Sequence, residues 1–330
     1  MFLNIRQKPQ ELIYHEALSN RSILSDKEQR KLAALSSGHA GECEYDRLFD
    51  AAGHGGLLIY RDIWMKVDEA VIQADSLIVA DGVVAVDEVK NFSGDYKYAG
   101  GEWTVRGRPG YEDPLAQVSR TAGRLVRLGG RMPYRFDVQK KVVFVNPDMN
   151  LEFNSEENQR FIVGRSRLRD HFKALGRLSA GPAAHENARA FRRFFIRNPM
   201  PLPVTDFKRI RMGNYCYACG VFDLHVGKYK VVCRRCGYTE TTERMFVRSL
   251  IDFSVLFHDR KMTSAGMSLF VSHVLKPRTV RKYLSKYCHV RGSNRATYYV
   301  IKSIHLKKLL SENGYASKYE TDERFRAADV

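Results

Sequence analysis

Apolar positions change rhythm along this chain, and the change marks its elements. Ser25-Asp26 opens a helical run, KEQRKLAAL, which Ser36, Ser37 and Gly38 are expected to stop, and a second helical run is expected from Glu42 to Ala51. The rhythm then shortens to that of strands in LLIYRDIW (57–64), VIQADSLIVA (71–80) and VVAVDEV (83–89). Asp81-Gly82 sits between the last two, and an Asp-Gly step between β-branched runs is a strong hairpin signal. A further hairpin is expected over 95–106 around Gly100-Gly101, an amphipathic helix over 114–128, strands at KVVFVN (141–146) and FIVG (161–164), and helices near 166–177 and 184–196. The proline-rich NPMPLPVTD (198–206) reads as a linker. It separates this α/β region from a cysteine module (207–242) and a region with helical and strand signals (243–312). Residues 313–330 mix both charge signs and read as a flexible tail.

The 330 residues exceed the ~100–200 of one ordinary domain, so two or three are expected. With 44% hydrophobic and 11% aromatic residues the chain can build real cores. The net charge of +17 is unevenly placed. Residues 1–206 carry 30 Lys/Arg against 27 Asp/Glu, whereas residues 207–330 carry 24 against 10. Between Arg260 and Lys308 stand 12 Lys/Arg and no carboxylate, the footprint expected of a surface for a polyanion, nucleic acid before acidic lipid. The N-terminus lacks the pattern of a secretory signal, and no apolar run approaches the ~18 residues of a membrane span. A cytoplasmic protein with no membrane partner is the expectation.

Six cysteines are divided between two C-x-x-C pairs and two lone positions, Cys43 and Cys288, read as ordinary semi-buried thiols. Cys216-x-x-Cys219 and Cys233-x-x-Cys236 are 13 residues apart, and Gly220 and Gly237 follow the pairs. Four soft ligands on two turns suit one structural Zn²⁺ in a closed tetrahedral site, a zinc ribbon whose small size leaves the metal to stabilise it. VFDLHVGKYKVV between the pairs fits two short strands, and His225 within it is not expected to replace a cysteine.

In a strand, alternate residues share a face, so Glu88 and Lys90 project together while Val89 points away. If the Asp81-Gly82 turn pairs the two strands, Asp75 can approach both. Two carboxylates that close repel unless a cation lies between them, and oxygen donors suit Mg²⁺ or Mn²⁺. Such a site beside a lysine is suited to hydrolysing phosphodiesters. Asp87, next to Glu88, should face the opposite side as a structural or solvent-facing residue.

The same stretch resembles the nuclease-related domain (NERD) family, a branch of the PD-(D/E)xK restriction-endonuclease-like superfamily. The resemblance is carried by Gly38-His39-Ala40-Gly41-Glu42 (a G-x-x-G-E helix start), Gln73-Ala74-Asp75, Glu88-Val89-Lys90-Asn91-Phe92-Ser93-Gly94, Trp103, and Asp113-Pro114-Leu115-Ala116-Gln117. Ala74 and Asp113 depart from the usual residues without removing a reacting group. The resemblance implies an α/β, restriction-endonuclease-like core, a mixed central sheet flanked by helices, over 38–197, after an N-terminal helical extension (1–37). It implies Glu42 as the carboxylate of the first helix, Asp75 and Glu88 as metal ligands, Lys90 as the catalytic lysine, and Gln117 as a polar residue reaching back to the site. Trp103 and Tyr98 read as packing residues.

In the basic region, Glu243 to His258 reads as a helix, Thr263 can cap a short helix, SAGMSLFVS, and Pro277 can open RTVRKYLSKY, followed by strand-like runs around Gly292-Ser293-Asn294. This order resembles a winged helix-turn-helix. The resemblance places Arg278, Thr279, Arg281, Lys282 and Lys286 on a recognition helix and Arg291, Asn294 and Arg295 on a wing, with Val280, Tyr283 and Leu284 inward. The expectation is a Mg²⁺- or Mn²⁺-dependent nuclease delivered to nucleic acid, DNA ahead of RNA, by its zinc ribbon and basic region, with a homodimer or a partner protein left open. A DNA-binding regulator with a nuclease-like scaffold is the alternative.

Overall fold

The structure is a computed structural model and describes residues 1–110, 112–153 and 156–313. The tail expected from 313 therefore lies, from residue 314, outside the described residues. The chain divides into two compact units, one of Met1–Gln7 with Ala34–Met200, the other of Lys8–Ala33 with the residues from Pro201 onward.

The first unit is built on strands β1 (Leu58–Val67), β2 (Ala70–Ala80), β3 (Val83–Lys90), β4 (Gly94–Ala99), β5 (Glu102–Val105), β6 (Arg108–Pro109), β7 (Asp137–Phe144), β8 (Met149–Phe153), β9 (Ile162–Val163) and β10 (Phe195–Ile196). Its main sheet runs β10-β1-β2-β3-β7-β9, with antiparallel pairing from β10 to β3 and parallel pairing from β3 through β7 to β9. The sheet is therefore mixed. Residue alternation sends Leu77, Val86, Val142 and Phe144 to one face, where they pack with Leu115, Val118 and Leu125 of the helix Pro114–Gly129 and Phe191 of the helix Pro182–Phe191. Ile78, Ala85, Val89 and Val143 go to the other face, under Tyr45 and Phe49 of the helix Asp26–Ala52 and Phe172 of the helix Leu168–Leu175. A smaller sheet, β6-β5-β4-β8, contributes Tyr98 and Trp103 to the first face.

The hairpins form where the turns predict them: Ala80 pairs with Val83 across Asp81-Gly82, and Gly100 and Gly101 both take positive φ between β4 and β5. The expected stop at Ser36–Gly38 does not occur. One helix runs from Asp26 to Ala52, so Gly38 to Glu42 lie in its middle and do not start it. A Cβ on Gly41 would come within 2.4 Å of Asn91 Cβ, so the bare backbone lets the helix close onto the chain just after β3. Tertiary packing at that approach outweighs the ~1 kcal/mol by which glycine disfavours a helix.

In the second unit the helices Gln10–Arg21, Thr242–Leu256, Ser264–Phe270, Pro277–Tyr287 and Leu306–Ser311 enclose a core that includes Phe246, Leu250, Phe253, Phe270 and Leu284. It also holds a three-stranded sheet of β11 (Leu224–Val226), β12 (Lys230–Cys233) and β13 (Thr239–Thr241), and a two-stranded one of β14 (Cys288–Arg291) and β15 (Tyr298–Ile301). Arg21 is fully buried here, with Nε on Asp252 Oδ2 at 2.8 Å, Nη1 on the Gly213 carbonyl at 2.9 Å and its guanidinium 4.1 Å from the Phe270 ring centroid. A buried charge persists because each of its faces has a partner. No helix among the described residues is long and apolar enough to cross a membrane.

Candidate active site and cysteine centre

Strands β2 and β3 part at the point where the carboxylates lie. Their ladder ends at Ser76 opposite Asp87, and beyond it the Val89 N–H donates to Asp75 Oδ2 at 2.9 Å, a side chain standing where a strand carbonyl would. Asp75 is 7% exposed and Glu88 3%. Lys90 Nζ lies 3.1 Å from Glu88 Oε1, and donates to Gln117 Oε1 and Glu112 Oε2, each at 3.1 Å. Gln117 reaches this point because Asp113 caps its helix, accepting from the Ala116 N–H at 3.0 Å and from Trp103 Nε1 at 3.1 Å. Trp103 thus packs in the core and also fixes the start of the helix that presents Gln117.

Burial and the Asp75 charge push Glu88 up to about 8, against the pull of Lys90. Burial likewise raises Asp75, opposed by the Val89 N–H and Lys90. Burial works against the Lys90 ammonium, but Glu88, Glu112 and Asp75 outweigh it and its pKa rises. Burial thus disfavours the ionised carboxyls while their charge favours the ammonium, and a further cation beside them would favour ionisation.

Glu42 is engaged by a residue that no motif flagged. Arg6 Nη1 donates to Glu42 Oε2 at 2.6 Å, its Nε and Nη2 take both oxygens of Asp46 at 2.8 and 3.0 Å, and Nη2 also donates to the Asp75 carbonyl at 2.9 Å. Its side chain is 3% exposed. Burial and Asp75 still push Glu42 up to about 8 despite Arg6. Asp62 was missed as well. It takes a left-handed φ of 46° between the β1–β2 pairs Arg61–Ser76 and Ile63–Ala74, opposite Asp75, and its Oδ1 accepts from Gln73 Nε2 at 2.8 Å. An Arg-Asp pair inside the apolar run LLIYRDIW was the available sign; nothing in the N-terminal residues marked Arg6.

Asp87 does lie on the opposite face, but it is wholly buried and not solvent-facing. Its Oδ2 accepts from the Tyr45 hydroxyl at 2.6 Å and sits 2.6 Å from His171 Nε2, so it ties helices to the back of the sheet.

Residues 37–145 match the family model of the nuclease-related domain. The match takes in Glu42, Asp75, Glu88, Lys90 and Gln117, which come from one helix, two adjacent strands and a second helix. No curated protein and no solved structure matches the chain. A match to the nuclease-related domain suggests nuclease-like function and implies a divalent cation and nucleic acid as its companions. The donors fit such a cation: they are buried carboxylate oxygens whose ionised forms burial disfavours and a cation would favour. Among the described residues, however, Glu42, Asp75 and Glu88 do not draw donor atoms within 4.8 Å of one another as a trio.

The four cysteines do. Cys216, Cys219, Cys233 and Cys236 bring their sulfurs within 4.8 Å of one another, with Cys216–Cys236 at 3.6 Å and Cys219–Cys233 at 3.7 Å. Sulfurs ~2.3 Å from a tetrahedral Zn²⁺ would lie ~3.8 Å apart, so the cluster is compatible with zinc. Gly220 and Gly237 have positive φ and return their N–H groups to the carbonyls of Cys216 and Cys233 at 2.9 and 3.0 Å, closing the two turns. The intervening residues form β11 and β12, and β13 extends the sheet; His225 is exposed and outside the cluster. Cys43 is exposed, with its sulfur 3.6 Å from His39 Nε2, and Cys288 is buried.

In the basic region, Thr263 caps its helix through the Gly266 N–H, Pro277 opens the next, and β14 and β15 follow as an antiparallel pair. Val280, Tyr283 and Leu284 face the core as expected. Arg278, Arg281, Lys282, Arg291, Asn294 and Arg295 are exposed and Thr279 is half-buried, whereas Lys286 Nζ is held by Glu243 Oε1 at 2.9 Å.

Proposed function

We propose that this protein is a divalent-metal-dependent nuclease acting on DNA. Asp75 and Glu88 would hold Mg²⁺ or Mn²⁺, which when bound supplies Lewis acidity to a phosphoryl oxygen and to water. Lys90, fixed by Glu88 and Gln117, presents a permanent ammonium to the charge that develops on the phosphoryl group. Glu42, joined to the Asp75 strand through Arg6, would set the position of that strand. The cysteine centre, with one structural Zn²⁺, and the exposed basic face of the helix Pro277–Tyr287 and the β14–β15 pair deliver the enzyme to DNA, and the charge excess beyond residue 207 supports that division of labour.

The observation that carries this reading is the Lys90 ammonium held between Glu88 and Gln117 beside the buried Asp75, all inside the matched region. The test is to incubate the full chain with linear, circular and single-stranded DNA and with RNA, in Mg²⁺, Mn²⁺ or EDTA. Metal-dependent cleavage that disappears in Lys90→Ala and Glu88→Ala, with DNA affinity retained, supports it. Binding without any turnover would instead favour a regulator built on a nuclease-like scaffold.

A further inference from the structure

On the outer side of Gln117 lies a cleft of about 680 Å³, contained within the first unit and lined by β2 and the helix Pro114–Gly129. Gln73 and Gln117 belong to its wall, and the same two side chains hold Asp62 and Lys90. The cleft therefore adjoins the carboxylate cluster. Its helical side carries Arg120, Arg124 and Arg127, and no carboxylate lines it. Residues four and three positions apart share one helix face, so the three guanidiniums form a single row. The row climbs ~10 Å of helix axis, about three base-pair steps at 3.4 Å each. Among the described residues none of the three has an ion-pair partner.

Three arginines lined up without anions repel one another, and only Arg127, in the last turn, gains from the helix dipole. The forked guanidinium suits phosphate oxygens, and a polyanion that follows the helix would meet all three. The opposite wall is partly apolar, with Val71 and Met200 exposed, so it can cover sugar without competing for phosphate. From these observations we infer that Arg120, Arg124 and Arg127 form a phosphate track that leads the DNA backbone past Gln117 to the carboxylate cluster. The nearly neutral first unit thus has its own substrate-binding surface, apart from the basic second unit. The inference rests on the reading of that cluster as hydrolytic only for the direction in which the backbone is led.

The test uses the full chain and the triple variant Arg120→Gln, Arg124→Gln, Arg127→Gln. Fluorescence anisotropy with labelled duplex DNA in EDTA reads affinity against salt without turnover. The track predicts that the slope of log affinity against log salt becomes shallower by about 2.7, or ~0.9 for each phosphate no longer neutralised. In Mg²⁺ the loss should fall on KM, by about tenfold or more, in place of kcat. An unchanged slope and KM would overturn the track while leaving the nuclease reading intact. Wild-type protein that cleaves nothing but binds with the arginine-dependent slope would sink the nuclease reading and keep the track. Failure to bind duplex at all, or the same loss on an RNA strand alone, would overturn it as a DNA-binding surface. Should the triple variant unfold, the exposed single change Arg120→Gln still predicts a slope smaller by about 0.9.

Discussion

In the cysteine cluster four sulfurs already stand 3.6 to 3.7 Å apart in the pairs across the two knuckles, with no protein cation among them. In the carboxylate cluster Arg6 is bonded to Glu42 and Lys90 to Glu88, and among the described residues Glu42, Asp75 and Glu88 do not bring their donors within 4.8 Å of one another as a trio. The first arrangement comes from two turns closed by Gly220 and Gly237, so local chain geometry assembles four sulfurs compatible with a tetrahedral metal. The second is assembled from a helix, two strands and an N-terminal segment, and its charge is offset by side chains that a metal and a phosphate would have to share. The first arrangement would bind a metal without moving a protein cation; the second would have to displace or share one.

The largest expected effect breaks the first arrangement. Cys216→Ser or Cys233→Ser should release the zinc and unfold the ribbon, because metal binding in such small modules contributes ~10–16 kcal/mol of folding free energy in peptide models. A colorimetric zinc assay with limited proteolysis over 207–241 checks it; a variant that stays protease-resistant and metal-free would refute a zinc-stabilised ribbon.

Next comes Arg6→Ala, which removes the built-in cation from the second centre and leaves the half-buried Glu42 and the buried Asp46 without it. Breaking a buried pair costs about 3–5 kcal/mol, and the value should fall near the lower end because Glu42 can take up a proton and Asp46 keeps Arg61 at 3.3 Å. Chemical denaturation measures the loss. Added Mg²⁺ should restore more stability to this variant than to wild type; equal restoration would mean that Arg6 and the metal do not compete for the same charge.

Lys90→Ala follows, with cleavage expected to fall by ~10²–10³-fold, the range found when a single donor to transition-state charge is removed. Glu88→Ala should exceed the ~10–100-fold that loss of an outer partner of a metal costs. A Lys90→Ala enzyme as fast as wild type would reassign the lysine from chemistry to the ion pair it makes with Glu88.

These residues differ in how visible they were. Asp75, Glu88 and Lys90 could be read because strand alternation and a two-residue Asp-Gly turn fix which side chains share a face, and the four cysteines because their spacing is itself the geometry. Glu42 and Gln117 rested on family resemblance, since no periodicity says which turn of a helix meets which strand. Arg6 and Asp62 were hidden for a related reason. Their roles come from partners 36 to 69 residues away for Arg6 and from a left-handed backbone inside a strand for Asp62. The continuous helix through Ser36–Gly38 shows the same limit, because the close approach of Gly41 and Asn91 overrides a local stop signal.

The smallest effect separates the two centres most directly, and it concerns protons. Glu42 and Glu88 sit at about 8, far above the ~4.3 of a glutamate in an unfolded chain, because burial and the Asp75 charge disfavour ionisation. A carboxyl whose folded pKa is raised stabilises the fold while protonated, and that contribution declines as pH climbs from about 4 through about 8. Without metal, the thermal midpoint should therefore drop between pH 6 and pH 8.5. A cation that needs the ionised forms must displace their protons, so Mg²⁺ affinity should rise over the same interval, by at most about tenfold per pH unit for each proton released. Calorimetry at pH 7 in two buffers of different ionisation enthalpy counts those protons. A Mg²⁺ binding enthalpy that is the same in both buffers would mean that the carboxylates were ionised before the metal arrived, and the contrast between an occupied, proton-holding oxygen site and a preassembled sulfur site would fall.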